Sequence, residues 1–268
     1  MEISQRFAER HSEGRSTLIP YMTCGFPSLE ASVEVLSAIV ESGGDILELG
    51  IPFSDPLADG PTIQASTYRA LEGGMTVAGT LDVLTDFRKI SDVPVVLFSY
   101  VNPILQYGME SFITDAVEAG AQGILLTDVP TGTDPGVEDI ILDSSLDLIR
   151  LISPTTVPER IPVVAESSQG FLYYISRTGV TGAQDTLRNN LVTEVQSLRS
   201  EVDIPVAVGF GISEPNHAAL ISSVADGIVV GSALIERLDN GGIDEASAFL
   251  ASIRNAMDLG NEIYSEKD

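Results

Sequence analysis

Eight short runs of β-branched and aliphatic residues recur along the chain, and nearly every run is followed by a stretch with helical periodicity. The predicted strands comprise residues 17–23, 45–50, 93–101, 123–128, 147–152, 171–176, 204–209 and 227–231. The predicted helices comprise residues 2–11, 28–42, 62–71, 76–90, 108–119, 138–144, 186–202, 214–224 and 243–265, and the state of residues 157–168 stays open. Strands that alternate with helices pair in parallel, and eight of them can close on themselves. The sequence therefore predicts an α/β fold, a single (β/α)8 TIM barrel over residues 1–268 with an extra N-terminal helix.

The charge balance excludes several classes of partner. The chain has 39 acidic and 14 basic residues, a formal net charge of −25, and only two of the basic residues are lysines. Such a surface repels nucleic acid and anionic membranes. Because the acids are spread along the whole chain, we interpret them as adaptation to a salt-rich cytoplasm. An acidic patch for one basic partner is the alternative.

Three further features favour a cytoplasmic protein. The N-terminus is polar and charged rather than apolar, so we expect no secretory signal. The apolar runs are far too short to span a bilayer. Cys24 is the only cysteine, which excludes an intrachain disulfide.

Two carboxylates fall where a barrel carries its chemistry, at the carboxyl ends of the strands. Side chains alternate along the second strand, so Leu47 and Leu49 face the helices and Glu48 faces the barrel interior. A carboxylate there is either paired or functional, because burying it alone costs several kcal/mol. Asp59 follows in the next loop, where it is either functional or a turn former before Gly60.

Three glycine-bearing loops follow the last three predicted strands, at residues 179–182, 209–213 and 231–232. Barrels often bind phosphate at this position, against backbone N–H groups and a helix N-terminus. Each glycine alone could serve an ordinary turn, but their consecutive placement favours a phosphate site.

The remaining residues exclude two common aldolase mechanisms. A Schiff base needs a lysine near a strand end, whereas Lys89 ends a predicted helix and Lys267 lies in the C-terminal tail. A zinc site needs clustered ligands, and neither His11 nor His217 has a partner at ligand spacing. Carboxylate acid–base chemistry on a phosphorylated substrate remains, with no metal and no cofactor.

Residues 48–61, Glu-Leu-Gly-Ile-Pro-Phe-Ser-Asp-Pro-Leu-Ala-Asp-Gly-Pro, resemble the signature of tryptophan synthase alpha chains almost letter for letter. The resemblance extends over the whole chain, through residues 20–25, 173–182, 209–213 and 231–232. It implies a lyase that cleaves indole-3-glycerol phosphate to indole and glyceraldehyde 3-phosphate in tryptophan biosynthesis. Two segments depart from the family pattern, at residues 131–136 and 166–170.

The resemblance also implies residue roles. Glu48 corresponds to the general acid and Asp59 to the carboxylate that binds the indole N–H. The residues implied in substrate binding are Tyr21, Ile63, Phe98, Tyr173, Thr181 and Phe210. Those implied in phosphate binding are Gly182, Gly211, Gly231 and Ser232.

A tryptophan synthase beta subunit is the implied partner, in an alpha2-beta2 heterotetramer. The contacting loops would be residues 51–61 and 100–103, with Phe53 either facing the partner or packing beneath its own loop. Two rival functions stay open. Indole-3-glycerol phosphate synthase is disfavoured because it relies on a strand-end lysine, and a regulatory subunit would need neither carboxylate.

The acidity yields a prediction that is independent of catalysis. At about 1 M salt the Debye length is about 3 Å, so the self-repulsion of the surface is largely screened. We therefore expect the melting temperature to rise as sodium or potassium chloride increases from tenths molar to molar. A flat or falling melting temperature over that range would contradict the salt-adaptation hypothesis.

Overall fold

The predicted barrel is confirmed. A computed structural model describes residues 1–175, 184–209 and 211–265, with side chains omitted for residues 184–190 and 261–265. Its strands pair in parallel in chain order, and β8 closes onto β1. They are β1 (Thr17–Thr23), β2 (Leu47–Gly50), β3 (Val95–Ser99), β4 (Gly123–Leu126), β5 (Asp147–Ile152), β6 (Leu172–Ile175), β7 (Val206–Gly209) and β8 (Gly227–Val230).

Helices surround the barrel, and α1 precedes the first strand as predicted. They are α1 (Ile3–Ser12), α2 (Ser32–Glu41), α3 (Pro61–Glu72), α4 (Val77–Phe87), α5 (Val101–Tyr107), α6 (Met109–Glu118), α7 (Pro135–Leu142), α8 (Ile161–Glu166), α9 (Gln184–Glu201), α10 (Pro215–Ser222) and α11 (Ser232–Ser265). A 3-10 turn, Pro158–Arg160, leads into α8, so the undecided segment is a turn followed by a short helix. Within the described ranges, no helix is long and apolar enough to cross a membrane.

The sequence prediction missed two helical segments, and several other boundaries differ by a few residues. The sequence predicts a third strand up to residue 101, but β3 ends at Ser99 and α5 begins at Val101, whose backbone N–H donates to the carboxylate of Asp128 at 2.8 Å. The last predicted helix, from residue 243, is present, but a further helix precedes it: α11 begins at Ser232 and consists of two helices that meet at Gly242, whose φ of 69° and ψ of −164° are not helical. A glycine at positive φ commonly ends a helix, so the predicted boundary at Gly242 is present, and what the sequence missed is the helix before it.

The core has two layers, inside the barrel and between the strands and the helices. The inner layer comprises Ile19, Ile46, Val96, Leu125, Ile149, Phe171, Ala207 and Val229, together with Ile3 and Phe7 of α1. Phe7 packs on Phe171 with ring centroids 5.5 Å apart. The extra helix α1 thus closes the amino-terminal end of the barrel, and the opposite end forms the mouth.

An ionic network ties this closing helix to the rest of the chain. Asp45, which is 3% exposed, accepts hydrogen bonds from Arg10 of α1 at 2.6 Å and from Arg254 of α11 at 3.2 Å. Its carboxylate also accepts the backbone N–H of Leu18 at 2.9 Å. One buried carboxylate therefore joins α1, β1, the start of β2 and α11.

We predict that Asp45→Asn destabilises the protein by about 1–3 kcal/mol, because Arg10 and Arg254 each lose a buried carboxylate partner and keep only Glu13 and Asp258, respectively. The matched control is Asp239→Asn, which removes an exposed pair with Arg69 and is expected to cost less than about 1 kcal/mol. Urea unfolding measures both free energies. Equal losses in the two variants would show that Asp45 does not hold the network together.

Candidate active site

Glu48 lies in the barrel interior, as the strand alternation predicted. It pairs in register with Tyr21 of β1 and Val96 of β3, while its neighbours Leu47 and Leu49 pack in the outer layer. The residue is 1% exposed, and its Oε1 atom has no hydrogen-bond partner among the described residues. Burial raises the pKa of this carboxyl to about 8. Glu48 is therefore mainly protonated at neutral pH and can act as an acid.

Asp59 lies in the loop between β2 and α3, over the mouth of the barrel. The side-chain amide of Gln64 donates to the backbone oxygen of Asp59 at 2.9 Å, and the N–H of Ala58 donates to the hydroxyl of Tyr100 at 2.9 Å. Burial raises the pKa of Asp59 to about 6, and a hydrogen bond from Tyr100 opposes that rise. Asp59 is therefore mainly ionised at neutral pH.

Two tyrosine hydroxyls occupy space that glycines leave open. A Cβ at Gly50 would lie 2.2 Å from the Tyr21 hydroxyl, and one at Gly209 would lie 2.1 Å from the Tyr173 hydroxyl. Burial raises the pKa of both tyrosines, and the charges of Glu48 and Asp59 raise it further. Both carboxyls and both hydroxyls thus share one mouth. Gly50, which the sequence placed at a strand end, and Gly209, which it placed in a phosphate loop, thus make room for the tyrosines.

An apolar wall borders the carboxyls. The rings of Tyr21 and Phe98 meet edge to face, with centroids 5.3 Å apart. Ile63 is buried in the first turn of α3, and its carbonyl accepts the Ser66 hydroxyl at 2.8 Å. That hydroxyl lies 2.7 Å from the hydroxyl of Thr23, which donates to Tyr21 at 3.3 Å. The wall suits a flat aromatic group.

The two described glycine loops lie side by side, because β7 and β8 are neighbours. A Cβ at Gly211 would meet nothing within 4 Å, and Gly231 directly precedes Ser232, the first residue of α11. The first turn of a helix offers unpaired N–H groups to an anion. Thr181, Gly182 and Phe210 lie outside the described residues.

Phe53 and Leu57, in the loop of residues 51–61, have different environments. Phe53 is half-buried and packs against Tyr100, with ring centroids 5.3 Å apart, so its contact is with the loop after β3. Leu57 is 92% exposed. The sequence did not single out Tyr100 as a site residue; the resemblance implied only that residues 100–103 contact a partner.

The chain matches the family model described as tryptophan synthase alpha chain over residues 7–261. It is 44% identical to the tryptophan synthase alpha chain of Acidiphilium cryptum over 240 residues, which are 89% of this chain and 87% of that relative. The identity with the Chloroflexus aggregans alpha chain is also 44%, over 238 residues, 88% of this chain and 89% of that relative.

Solved structures agree with the sequence comparisons. Tryptophan synthase subunit alpha from Legionella pneumophila superposes with a TM-score of 0.89 at 36% identity, covering 97% of this chain and 99% of that one. A structure of Mycobacterium tuberculosis tryptophan synthase gives a TM-score of 0.86 at 36% identity, over 95% and 97% of the two chains. With the family model spanning most of its length and relatives at 44% identity, this chain belongs to the tryptophan synthase alpha chain family.

Proposed function

We propose that Glu48 and Asp59 carry the cleavage of indole-3-glycerol phosphate, the lyase reaction of the family to which the chain belongs. The observation that supports these roles most is the buried carboxyl of Glu48, which lacks a partner among the described residues and shares the mouth with an ionised Asp59. One group can give a proton at neutral pH while the other offers a negative charge.

In the proposed mechanism, protonated Glu48 gives its proton to C3 of the indole ring. The ring becomes a positive indolenine, and the carboxylate of Asp59 stabilises that charge at the ring N–H. The Glu48 carboxylate then takes the proton of the glycerol hydroxyl beside the ring. A carbonyl forms as the C–C bond breaks, its electron pair returns to the ring, and indole and glyceraldehyde 3-phosphate result.

The other residues would bind the two ends of the substrate. The indole ring would lie against Tyr21, Ile63, Phe98 and Tyr173, with Thr181 and Phe210 completing the pocket. The phosphate oxygens would accept hydrogen bonds from the backbone N–H groups of Gly182, Gly211, Gly231 and Ser232. Open space at Gly211 supports the assignment of the phosphate site, because a phosphate oxygen must approach the backbone closely.

No described lysine favours the synthase alternative. Lys89 is exposed and pairs with Asp86 at 2.6 Å near the end of α4, remote from the strand ends that form the mouth. Lys267 lies outside the described residues.

We also propose that a tryptophan synthase beta subunit covers the loop of residues 51–61 in a cytoplasmic alpha2-beta2 complex. The Leu57 side chain, which is 92% exposed, supports this site because its burial in an interface would contribute a favourable free energy of about 1.5–3 kcal/mol. Because Asp59 lies two residues further on, a partner at Leu57 would contact the same loop that carries the carboxylate.

The two carboxyl environments predict a bell-shaped pH profile. Asp59 must be ionised, so activity should fall as pH decreases through about 6. Glu48 must be protonated, so activity should fall as pH increases through about 8. The measurement is kcat/KM for indole release between pH 5 and 10. Activity that still rises above pH 9 would be incompatible with Glu48 as the acid.

Substitution of each carboxyl tests its role in the same assay. Glu48→Gln keeps the shape but removes the proton donor, and should lower turnover by about 10²–10⁴. Asp59→Asn removes the charge that stabilises the indolenine, and should lower turnover by about 10²–10³.

The matched control is Asp55→Asn, in the same loop. Asp55 is exposed and hydrogen-bonded by Ser54 at 2.6 Å, so the isolated chain should keep its activity. Glu48→Gln with more than half of wild-type activity would overturn the mechanism. Adding beta subunit to the assay should raise indole release about 5–150-fold, and an unchanged rate would count against the proposed complex.

A further inference from the structure

We infer that Tyr100 is a positioning residue whose hydroxyl holds the Asp59 carboxylate over the barrel mouth, where it can meet the ring N–H of the substrate. This inference rests on the proposed role of Asp59. Tyr100 directly follows β3 and is 5% exposed, so its ring is fixed among neighbours rather than free in solvent.

The hydroxyl of Tyr100 lies against one short segment of the loop. It accepts the backbone N–H of Ala58 at 2.9 Å, which fixes the chain one residue before Asp59. Its own proton remains available to the carboxyl of Asp59, and a hydrogen bond from it lowers the pKa of that carboxyl. The anchored backbone places the carboxylate beside the hydroxyl.

The ring of Tyr100 fixes the other end of the same loop. Phe53 packs on it with centroids 5.3 Å apart and an interplanar angle of 39°. One side chain therefore contacts the loop near its start, at Phe53, and near its end, at Ala58 and Asp59.

Tyr100 is itself held by the next strand–helix loop. Its backbone is extended, with φ −105° and ψ 160°, and it is the N-cap residue of α5. The next residue, Val101, donates its N–H to the carboxylate of Asp128 at 2.8 Å. The line of contacts thus runs from the loop after β4, through the start of α5, to Asp59.

The electrostatics agree with this geometry. Burial raises the pKa of Asp59, and the hydrogen bond from Tyr100 limits the rise to about 6. The pKa of Tyr100 is raised to about 12, by burial and then by the charge of Asp59, so the phenol keeps its proton throughout the working range. Without that hydroxyl, the Asp59 carboxylate would be harder to form.

The test is Tyr100→Phe, which removes the hydroxyl and keeps the ring against Phe53. We expect kcat/KM at pH 7 to fall about tenfold or more, because a hydrogen bond to a charged group is lost. The acid side of the pH profile should move to higher pH, since the pKa of Asp59 rises, while the alkaline side set by Glu48 stays in place. Carbon-13 NMR of the Asp59 carboxyl measures the same pKa without reference to activity.

Tyr107→Phe is the matched control. The hydroxyl of Tyr107, at the end of α5, donates to the carboxylate of Asp115 in α6 at 2.5 Å. The substitution therefore removes a hydrogen bond of the same kind, from tyrosine to aspartate, at a different place. Both limits of its pH profile should remain those of the wild type.

An unshifted acid limit in Tyr100→Phe, or an Asp59 pKa equal to that of the wild type, would overturn the inference, because loss of packing alone predicts both. Adding Tyr100→Phe to Asp59→Asn should cause no further loss; a full additional loss would equally overturn it. If Asp59→Asn alone were fully active, the proposed function would fail. If Asp59→Asn were inactive and Tyr100→Phe normal, only the role of Tyr100 would fail.

Discussion

Removal of Glu48 from water is the constraint on which the site depends. The carboxyl is 1% exposed because α1 closes one end of the barrel with Ile3 and Phe7, and because the inner layer of aliphatic side chains fills the space beneath it. Desolvation alone then raises its pKa to about 8. Most carboxyls in this position would be paired, and a paired Glu48 would be an anion at neutral pH. Glu48 is thus a proton donor at neutral pH because the barrel interior gives its carboxyl neither water nor a positively charged partner among the described residues.

Asp59 shows how the same functional group acquires the opposite charge state a short distance along the chain. It lies on a loop rather than inside the barrel, so its burial is partial, and the Tyr100 hydroxyl favours its ionised form. Deeper burial raises the pKa of Glu48 to about 8, whereas partial burial and the hydrogen bond from Tyr100 leave the pKa of Asp59 at about 6, so the two pKa values lie on opposite sides of 7. A loop carries one of them and a strand the other, so their ionisation can be changed separately.

The sequence predicts those features that follow from periodicity. Glu48 points inward because strand side chains alternate, and the barrel follows from eight strand–helix repeats. It does not predict features made by contacts between distant residues. The start of α5 depends on Asp128, 27 positions from Val101, and the spaces at Gly50 and Gly209 are defined by tyrosines on neighbouring strands. For the same reason the sequence could not decide between the two environments open to Phe53, and it gave no sign that Tyr100 reaches Asp59.

The network at Asp45 has a consequence for folding during synthesis on the ribosome. Asp45 and Arg254 are 209 positions apart, and β1 finds its second neighbour only in β8. A nascent chain that already contains Glu48 therefore lacks both the complete sheet and the ion pair between Asp45 and Arg254 that helps to hold α1 against the barrel. Before β8 and the last helix are synthesised, the barrel whose burial of Glu48 raises the pKa of that carboxyl is incomplete. Glu48 therefore becomes a proton donor only when the barrel is complete. A chain that lacks β8 would still contain Glu48 and Asp59, but the Glu48 carboxyl would lack the burial that raises its pKa.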